Sequence, residues 1–153
     1  MSDLDEGDVK ILTQLQRDGR MNYAELSQEV GIPDSTVHSK VARLRERGVI
    51  RDFVVILDYE KVGFGIAALI GVETGAQLYT SVAGELSRLD EVVEVYGTTA
   101  EFDLMVKVRT VSLRRLSEIL NTIRSIKGVD DLFVMTILET FKEEHGVPLD
   151  KRP

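Results

Sequence analysis

The residues most suited to chemistry in this sequence are the cations between positions 33 and 51. They are Lys40, Arg43, Arg45, Arg47 and Arg51. Only two anions share this stretch, so its net charge is +3 in a chain of 153 residues whose formal net charge is −7. Lysine and arginine neutralise DNA phosphates, whereas an acidic surface repels them. The sequence therefore predicts a local DNA contact and argues against a chain that coats nucleic acid indiscriminately.

The same stretch has the periodicity of an amphipathic helix. Val37, Val41 and Leu44 fall on one stripe, which predicts the buried face. The opposite side then carries small, polar or basic side chains, with two flanking residues: Ser35, Ser39, Ala42 and Arg43, flanked by Thr36 and His38. Such side chains can enter a major groove without steric obstruction, although an exposed helix with a solvated charged face has the same pattern.

Two roles are predicted within this helix. Residues near the N-terminus of a recognition helix reach base edges, and cations farther along hold phosphates. We expect base contacts from Ser35, Thr36, Ser39 and Arg43, with His38 beside them. We expect phosphate contacts from Lys40, Arg45, Arg47 and Arg51.

A shorter helix must precede and position this one. Asn22 and Glu25 resemble a capping box for a helix that Gly31 ends. The turn Gly31-Ile32-Pro33 leads into the basic helix, which stops at Gly48. Two short helices joined by a glycine-containing turn are typical of a helix-turn-helix.

One more helix is predicted at the N-terminus, and a strand after the basic helix. The apolar face of this N-terminal helix consists of Leu4, Ile11, Leu12 and Leu15. Asp5 and Asp8 favour its N-terminus, and Gly19 is expected to end it in the left-handed conformation. The apolar run at 49–57 predicts a strand or hairpin, which would be the wing of a winged helix-turn-helix.

From position 66 the pattern changes to β-branched runs that alternate with two amphipathic helices. The predicted strands span 66–74, 92–98, 102–108 and 129–138, with helices at 78–89 and 113–126. Right-handed crossovers would join these βαββαβ elements into one antiparallel sheet with both helices on one face, a ferredoxin-like arrangement. The other face would expose apolar residues, so we expect it to associate with another copy.

These patterns predict an α+β protein of two domains. Residues 1–57 form a predicted winged helix-turn-helix, and residues 66–153 a predicted ferredoxin-like domain for oligomerisation and effector binding. Residues 58–65 are the predicted linker, because Gly63 and Gly65 relax the backbone before a new strand.

Several classes of protein are disfavoured by the sequence. The chain has no cysteine, so it can have no disulfide, thiolate zinc site or cysteine nucleophile. His145 stands beside Glu143 and Glu144, but no second histidine is near enough in sequence to complete a metal or catalytic site. The glycine pattern at 63–68 opens a strand, whereas a dinucleotide motif opens a helix. We therefore predict no enzyme, cofactor or metal, and the acidic N-terminus and short apolar runs predict a cytoplasmic protein.

Several groups of residues together give the sequence a specific resemblance to a known family. The first groups are Leu4-Asp5-Glu6-Gly7-Asp8, Ile11-Leu12 and Asp18-Gly19-Arg20. The basic helix and its flanks contribute Gly31-Ile32-Pro33-Asp34-Ser35-Thr36-Val37 and Arg43-Leu44-Arg45-Glu46-Arg47-Gly48-Val49-Ile50. The second half contributes Glu94-Val95-Tyr96-Gly97-Thr98-Thr99-Ala100-Glu101-Phe102-Asp103. Across nearly the whole chain, the sequence resembles the Lrp/AsnC, or feast/famine, family of transcription regulators.

The resemblance implies a C-terminal regulatory domain, the RAM domain, that senses an amino acid. It further implies dimers with packed sheets, larger even-numbered assemblies such as octamers, and an effector site between subunits. That site would lie near the loop joining the second and third strands of the domain, and a two-fold dimer would require a palindromic operator. The candidate effector residues are Thr98, Thr99, Ala100, Glu101, Asp103 and Thr136.

The side chains of this loop suit a zwitterion. Asp103 and Glu101 can accept from an ammonium, while threonine hydroxyls and turn amides can donate to a carboxylate. A polar turn that only stabilises the dimer is the alternative. Ala100 stands where the family usually has glycine, and its side chain narrows the space for a ligand. Pro33 stands where a serine often caps the recognition helix, which predicts a shifted cap.

Two other functions fit parts of the pattern. An architectural protein that bends DNA with little sequence preference would bind any duplex with similar affinity. A ferredoxin-like enzyme or metabolic sensor would use the helix-turn-helix for protein contacts alone, since one fold hosts unrelated functions. Replacing Arg43 by alanine would weaken DNA binding in a regulator and leave a metabolic activity untouched.

Overall fold

The computed structural model describes residues 4–99 and 101–149, which divide into two compact units. One unit contains the described residues up to 56 together with those from 142 onward, and the other contains residues 57–141. Each unit has its own apolar core. No helix within the described residues is long and apolar enough to cross a membrane.

Three helices form the first unit: α1 (Glu6–Arg17), α2 (Tyr23–Val30) and α3 (Asp34–Glu46). Asp5 caps α1 in a reciprocal box with Asp8, and Asn22 caps α2 in the same way with Glu25. Each box satisfies two backbone amides that a helix N-terminus otherwise leaves without a partner. The predicted capping residues of α1 and α2 are therefore confirmed.

The helix-turn-helix is formed by α2, its turn and α3. Gly31 has a φ of 69°, a conformation that favours glycine, and this residue ends α2 as predicted. Pro33 takes the cap position of α3 without a side-chain hydrogen bond. Val37, Val41 and Leu44 are buried in the core of this unit, as their spacing predicts.

Two sequence predictions for the first unit are wrong. Gly19 does not adopt the left-handed conformation, because α1 already ends at Asp18, which is extended. The wing strand at 49–57 is not formed, since residues 51–57 have no regular structure and this unit offers them no strand within the described residues to pair with. The segment is nevertheless apolar and exposed, with Val54 and Val55 at 75% and 80% exposure.

Residues near the end of the chain pack on the first unit, although the sequence analysis assigned them to the second domain. The Gln16 side chain accepts from the backbone N–H of Val147 at 2.8 Å and donates to its carbonyl at 3.3 Å. Leu149 packs against the apolar core that α1, α2 and α3 share. The first unit is therefore assembled from two separate parts of the sequence.

Four strands and two helices form the second unit. Its elements are β1 (Ile66–Thr74), α4 (Tyr79–Leu86), β2 (Val92–Gly97), β3 (Leu104–Thr110), α5 (Leu113–Arg124) and β4 (Val129–Thr136). The strands form one antiparallel sheet in the order β2-β3-β1-β4. The predicted ferredoxin-like βαββαβ topology is confirmed, although β3 starts two residues later than expected.

The sheet buries one face beneath both helices. Because side chains alternate along a strand, Ala68, Ile70 and Val72 of β1 face the core together with Leu86 of α4 and Ile123 of α5. All five are fully buried. Burial of branched aliphatic side chains at this density is the main stabilising contribution to such a unit.

No other described helix or strand of this unit covers the other face of the sheet, which we call the open face. Leu69 lies at its centre, opposite Lys107 on β3 and Met135 on β4. Tyr96 and Phe133 are more than half exposed on the same face. This arrangement fits the prediction that the sheet would leave one apolar face without a cover.

Candidate nucleic-acid interface and effector site

The outward surface of α3 carries the side chains from which base contacts are predicted. Ser35, Thr36 and Ser39 are exposed, and the Ser39 hydroxyl donates to the Ser35 carbonyl at 2.9 Å. Arg45 and Arg51 are also exposed, and neither forms an ion pair with another residue of the described chain. Their charge is therefore available to an external anion such as a phosphate.

Lys40 and Arg43 lie on the side of α3 that faces α1. The Lys40 ammonium lies 2.5 Å from Asp5 Oδ2 and 3.0 Å from Asp8 Oδ1. Arg43 Nη2 donates to both oxygens of Asp8, at 2.9 and 3.0 Å. These contacts neutralise, within the protein, the positive charge of two of the predicted DNA-binding residues.

The members of this ion-pair cluster differ in the exposed fraction of their side chains. The Asp8 side chain is 0% exposed, Lys40 is 16% exposed and Arg43 is 48% exposed. The hydrogen bond from Lys40 is the main reason that the pKa of Asp5 falls to about 2 from its ordinary value. Asp5 is therefore ionised at neutral pH, and its contact with Lys40 already neutralises that ammonium where a phosphate would meet it.

His38 and Arg47 have different surroundings. His38 lies edge-on to the Tyr23 ring, with 4.1 Å between ring centroids, and its Nε2 lies 3.8 Å from an Asp34 oxygen. These contacts hold the imidazole at the boundary between α2 and α3. Arg47 is exposed just after α3 ends and has a polar or charged partner within the protein.

The loop between β2 and β3 is fixed by its own hydrogen bonds. Asp103 Oδ2 accepts from the backbone N–H of Thr74 at 2.8 Å and from the Thr74 hydroxyl at 3.3 Å. The Thr98 amide donates to the Asp103 carbonyl at 2.9 Å, and the Thr98 hydroxyl donates to the Phe102 carbonyl. Asp103 and Thr98 therefore shape the loop, while Thr99 and Glu101 are exposed beside them.

An open cavity of about 270 Å³ lies next to this loop. Six residues line it: Glu73, Glu101, Phe102, Asp131, Leu132 and Phe133. Three of them are carboxylates, and the two phenylalanine rings stack with 5.5 Å between their centroids. No group of three histidines or carboxylates in the described ranges is arranged to hold a metal ion. Carboxylates beside aromatic rings can bind an organic cation.

Among the described candidate effector residues, Glu101 lines the cavity, whereas Thr136 lies far from it within one chain. Thr136 pairs with Ala68, whereas the cavity end of β1 pairs Glu73 with Asp131. The distance between these two positions is about five residues along the strand, or roughly 16 Å. Thr136 is therefore distant from the loop within one chain, and its expected place beside the loop at a site between subunits stays a prediction. Ala100 lies outside the described residues.

Sequence reasoning missed three features of this cavity. Gly71 lets the Phe102 ring lie on the sheet, since a Cβ at Gly71 would come within 2.5 Å of two ring atoms. Glu73 and Asp131 are directly opposite on adjacent strands, where like charges repel. Phe133 contributes the second ring. A register derived from the strand pattern could have paired Glu73 with Asp131, but no local signal marks the stacking.

Comparisons with known proteins match both units. A family model described as the Lrp/AsnC ligand-binding domain matches residues 67–147, more than half of the chain. The chain belongs to the Lrp/AsnC family. A second model, winged helix-turn-helix DNA-binding, matches residues 4–51 of this Lrp/AsnC protein. The resemblance inferred from the sequence is thus confirmed.

Relatives and solved structures of the family agree over almost the full length. The HTH-type transcriptional regulator FL11 of Pyrococcus horikoshii is 41% identical, with 95% of this chain and 97% of FL11 covered. The regulatory protein AsnC of Haemophilus influenzae is 35% identical, with 86% and 87% covered. A Neisseria meningitidis regulator solved as its L-Met complex has a TM-score of 0.89 at 28% identity, covering 96% and 97%. E. coli AsnC has a TM-score of 0.87 at 27% identity, covering 95% and 99%.

These matches establish the general function of the two units. The protein is a transcriptional regulator that binds DNA through its helix-turn-helix and carries the family's ligand-binding domain. The three-helix unit corresponds to the first role and the ferredoxin-like unit to the second. The relatives named here are regulators.

Proposed function

We propose that this regulator binds a palindromic operator as a homodimer, with α3 in the major groove, and that an amino acid or related small cation modulates it. The observation that carries the DNA part is the composition of the outward surface of α3. Small hydroxyl side chains at Ser35, Thr36 and Ser39 are followed along the chain by exposed Arg45 and Arg51. This order places base-reading groups before phosphate-holding groups, as recognition helices do.

The ion pairs of α3 support some of its cations more than others as phosphate contacts in this proposal. Arg45 and Arg51 supply the clearest charges, and Arg47 joins them at the end of α3. Lys40 contributes less, because Asp5 and Asp8 already neutralise its ammonium. Arg43 keeps about half of its side chain exposed and remains in the proposed set of base contacts.

Replacing Arg45 by alanine is expected to weaken every duplex about equally. Loss of one phosphate contact should reduce the slope of log affinity against log salt by about one unit, with no change in sequence preference. The measurement is a salt titration of binding to a duplex selected from a random pool and to a scrambled duplex. Ser39→Ala is the matched control, because it should change sequence preference without changing the salt slope. An Arg45→Ala protein with wild-type affinity for both duplexes would contradict the phosphate role.

The apolar surface of the open face supports the proposed dimerisation through it. Leu69, Met105 and Met135 lie near the centre of the open face, while a Lys107–Glu94 pair, 3.5 Å apart, lies towards β2. An apolar centre with paired charges beside it has the composition of a protein interface. A second copy of the sheet satisfies both features, and larger even-numbered assemblies such as an octamer stay a prediction.

The effector is proposed to bind in the cavity beside the β2–β3 loop. Glu73, Glu101 and Asp131 provide acceptors for an ammonium, and the Phe102 ring offers a face on which a cation can rest. A volume near 270 Å³ suits a molecule the size of an amino acid. The L-Met complex of the Neisseria meningitidis regulator supports an amino-acid effector in this fold.

A calorimetric screen of the twenty amino acids is expected to identify at least one ligand. Because the local donors of Thr98 are used within the loop, the carboxylate of the ligand is expected to contribute less than its ammonium. The decarboxylated amine of the ligand should therefore still bind, and Glu101→Gln should weaken both compounds. Glu118→Gln, the same change on the exposed side of α5, is the control. No heat from any amino acid, or equal heat from Glu101→Gln and wild type, would remove this cavity as the effector site.

A further inference from the structure

The Asp8 carboxylate makes more contacts than its role in capping α1 requires, because it also pairs with two cations of α3. Asp8 caps α1 through one oxygen, Oδ2, which accepts from the Asp5 amide at 3.2 Å. The same buried carboxylate also receives Arg43 through both oxygens and Lys40 through one. Burying an ionised carboxylate is costly unless it is paired and hydrogen-bonded. The two cations of α3 supply that pairing.

Arg43 and Lys40 differ in how much of the side chain remains free to contact DNA after pairing with Asp8. The Lys40 ammonium lies between two carboxylates and its side chain is largely buried. Both Asp8 contacts of Arg43 use Nη2, and about half of the Arg43 side chain remains exposed. A guanidinium has five N–H donors in a rigid plane, so fixing Nη2 also fixes the direction of Nε and Nη1.

Discrimination between bases requires the guanidinium donors to be held in one orientation. A long free side chain loses rotamer freedom when it binds and can accept several geometries, whereas a held one has already lost that freedom. The protein carries no such device at Arg45 or Arg51, whose side chains lack an ion-pair partner among the described residues. Arg43 is thus distinguished from Arg45 and Arg51 by its fixed orientation and not by its charge.

We propose that Asp8 is a positioning residue for sequence recognition, which holds Arg43 so that its remaining donors meet a base edge in one geometry. The proposal rests on the proposed function, in which α3 is the recognition helix. Asp8 itself touches no DNA in this arrangement. Its effect reaches the operator through Arg43 alone.

The test compares affinities of the full chain for a selected duplex and a scrambled duplex. Asp8→Asn preserves the shape and the capping acceptor but removes the charge and the two-oxygen contact with Nη2. Discrimination between the duplexes is expected to fall by roughly 5- to 150-fold, the range for loss of one good base contact. Affinity for the scrambled duplex is expected not to fall, because removing an anion leaves more positive charge near the phosphates.

Two further variants separate positioning from a general effect of charge or stability. Asp5→Asn makes the same charge change in the same cluster, but Asp5 pairs mainly with Lys40, so discrimination should stay within about twofold of wild type. In an Arg43→Ala background, Asp8→Asn should cause no further loss of discrimination. Losses that multiply in the double variant, or an Asp5→Asn loss equal to that of Asp8→Asn, would overturn the proposal.

A fold that does not tolerate Asp8→Asn still leaves the proposal testable. Arg43→Lys keeps a cation that can reach Asp8 but lacks the rigid plane of donors. It should bind scrambled DNA like wild type and lose discrimination to a similar extent, and retained discrimination would refute the positioning role. Failure of the underlying function has a different signature, since Arg45→Ala and Ser39→Ala would then leave the binding of both duplexes unchanged.

Discussion

Replacing Leu69 by glutamate is expected to convert the proposed dimer into a monomer and to lower affinity for a two-half-site operator by about 10²- to 10⁴-fold. Leu69 lies at the centre of the open face, between Lys107 and Met135 on neighbouring strands. In a monomer a glutamate there stays hydrated beside the lysine. In a packed dimer this glutamate would lose its water against the second sheet, which is costly for an ionised group.

The loss in DNA affinity comes from losing the second recognition helix. When one half-site is bound, the linked second helix meets its half-site at an effective concentration near the millimolar range. A monomer lacks this advantage and binds each half-site separately. Sedimentation and binding to one-half-site and two-half-site duplexes measure both effects.

Ser117→Glu is the matched control for the Leu69 substitution. It introduces the same charge on the exposed surface of α5, in the same unit. This variant should stay dimeric and keep its affinity within a few-fold, and the two variants should bind a single half-site about equally. A Leu69→Glu protein that sediments as a wild-type dimer would show that another surface mediates assembly.

Replacing Gly71 by alanine is expected to reduce effector binding at least tenfold while costing only about 1 kcal/mol of stability. The new Cβ would lie 2.5 Å from two atoms of the Phe102 ring, so one of the two groups must move. Gly71 is fixed within the central strand β1, whereas Phe102 is in the loop before β3. The Phe102 ring is therefore expected to move, which removes its stacking on Phe133 and its contribution to the lining of the cavity.

Gly84→Ala controls for the general effect of replacing a glycine. A Cβ at Gly84 meets no atom within 4 Å, and the residue lies inside α4, where alanine favours the helix by roughly 0.5–1 kcal/mol. This variant should be slightly more stable than wild type and bind the effector normally. Thermal unfolding and calorimetry with the ligand from the amino-acid screen give both quantities. Wild-type affinity in Gly71→Ala would show that the Phe102 ring does not belong to the site.

The second unit could be predicted closely because its elements are determined by local patterns. The run of apolar and β-branched residues at β1 predicts a strand at 66–74, and the structure has that strand. The prediction for β3 is two residues too early, because Phe102 has the side chain of a strand residue but packs on Gly71 as part of the loop. That packing depends on a residue 31 positions away, which no local pattern contains.

The DNA-facing surface could be predicted only in part, for a similar reason. Helical periodicity locates the buried stripe at Val37, Val41 and Leu44 and so identifies the polar surface of α3. It does not reveal that α1 brings Asp5 and Asp8 beside Lys40 and Arg43, since that contact spans more than 30 residues. The prediction of a wing strand is wrong for a related reason. Residues 49–57 have strand propensity, but a strand does not form without a partner strand.

The return of the chain end to the first unit has a consequence for exchanging DNA-binding modules between relatives. A transplanted segment ending at residue 56 would leave behind Val147, whose backbone is bonded by Gln16, and Leu149, which covers part of the core. In topological terms the ligand-binding unit is inserted into the DNA-binding unit. A chimaera that keeps the recognition module intact must therefore carry over two segments, one from each end of the chain.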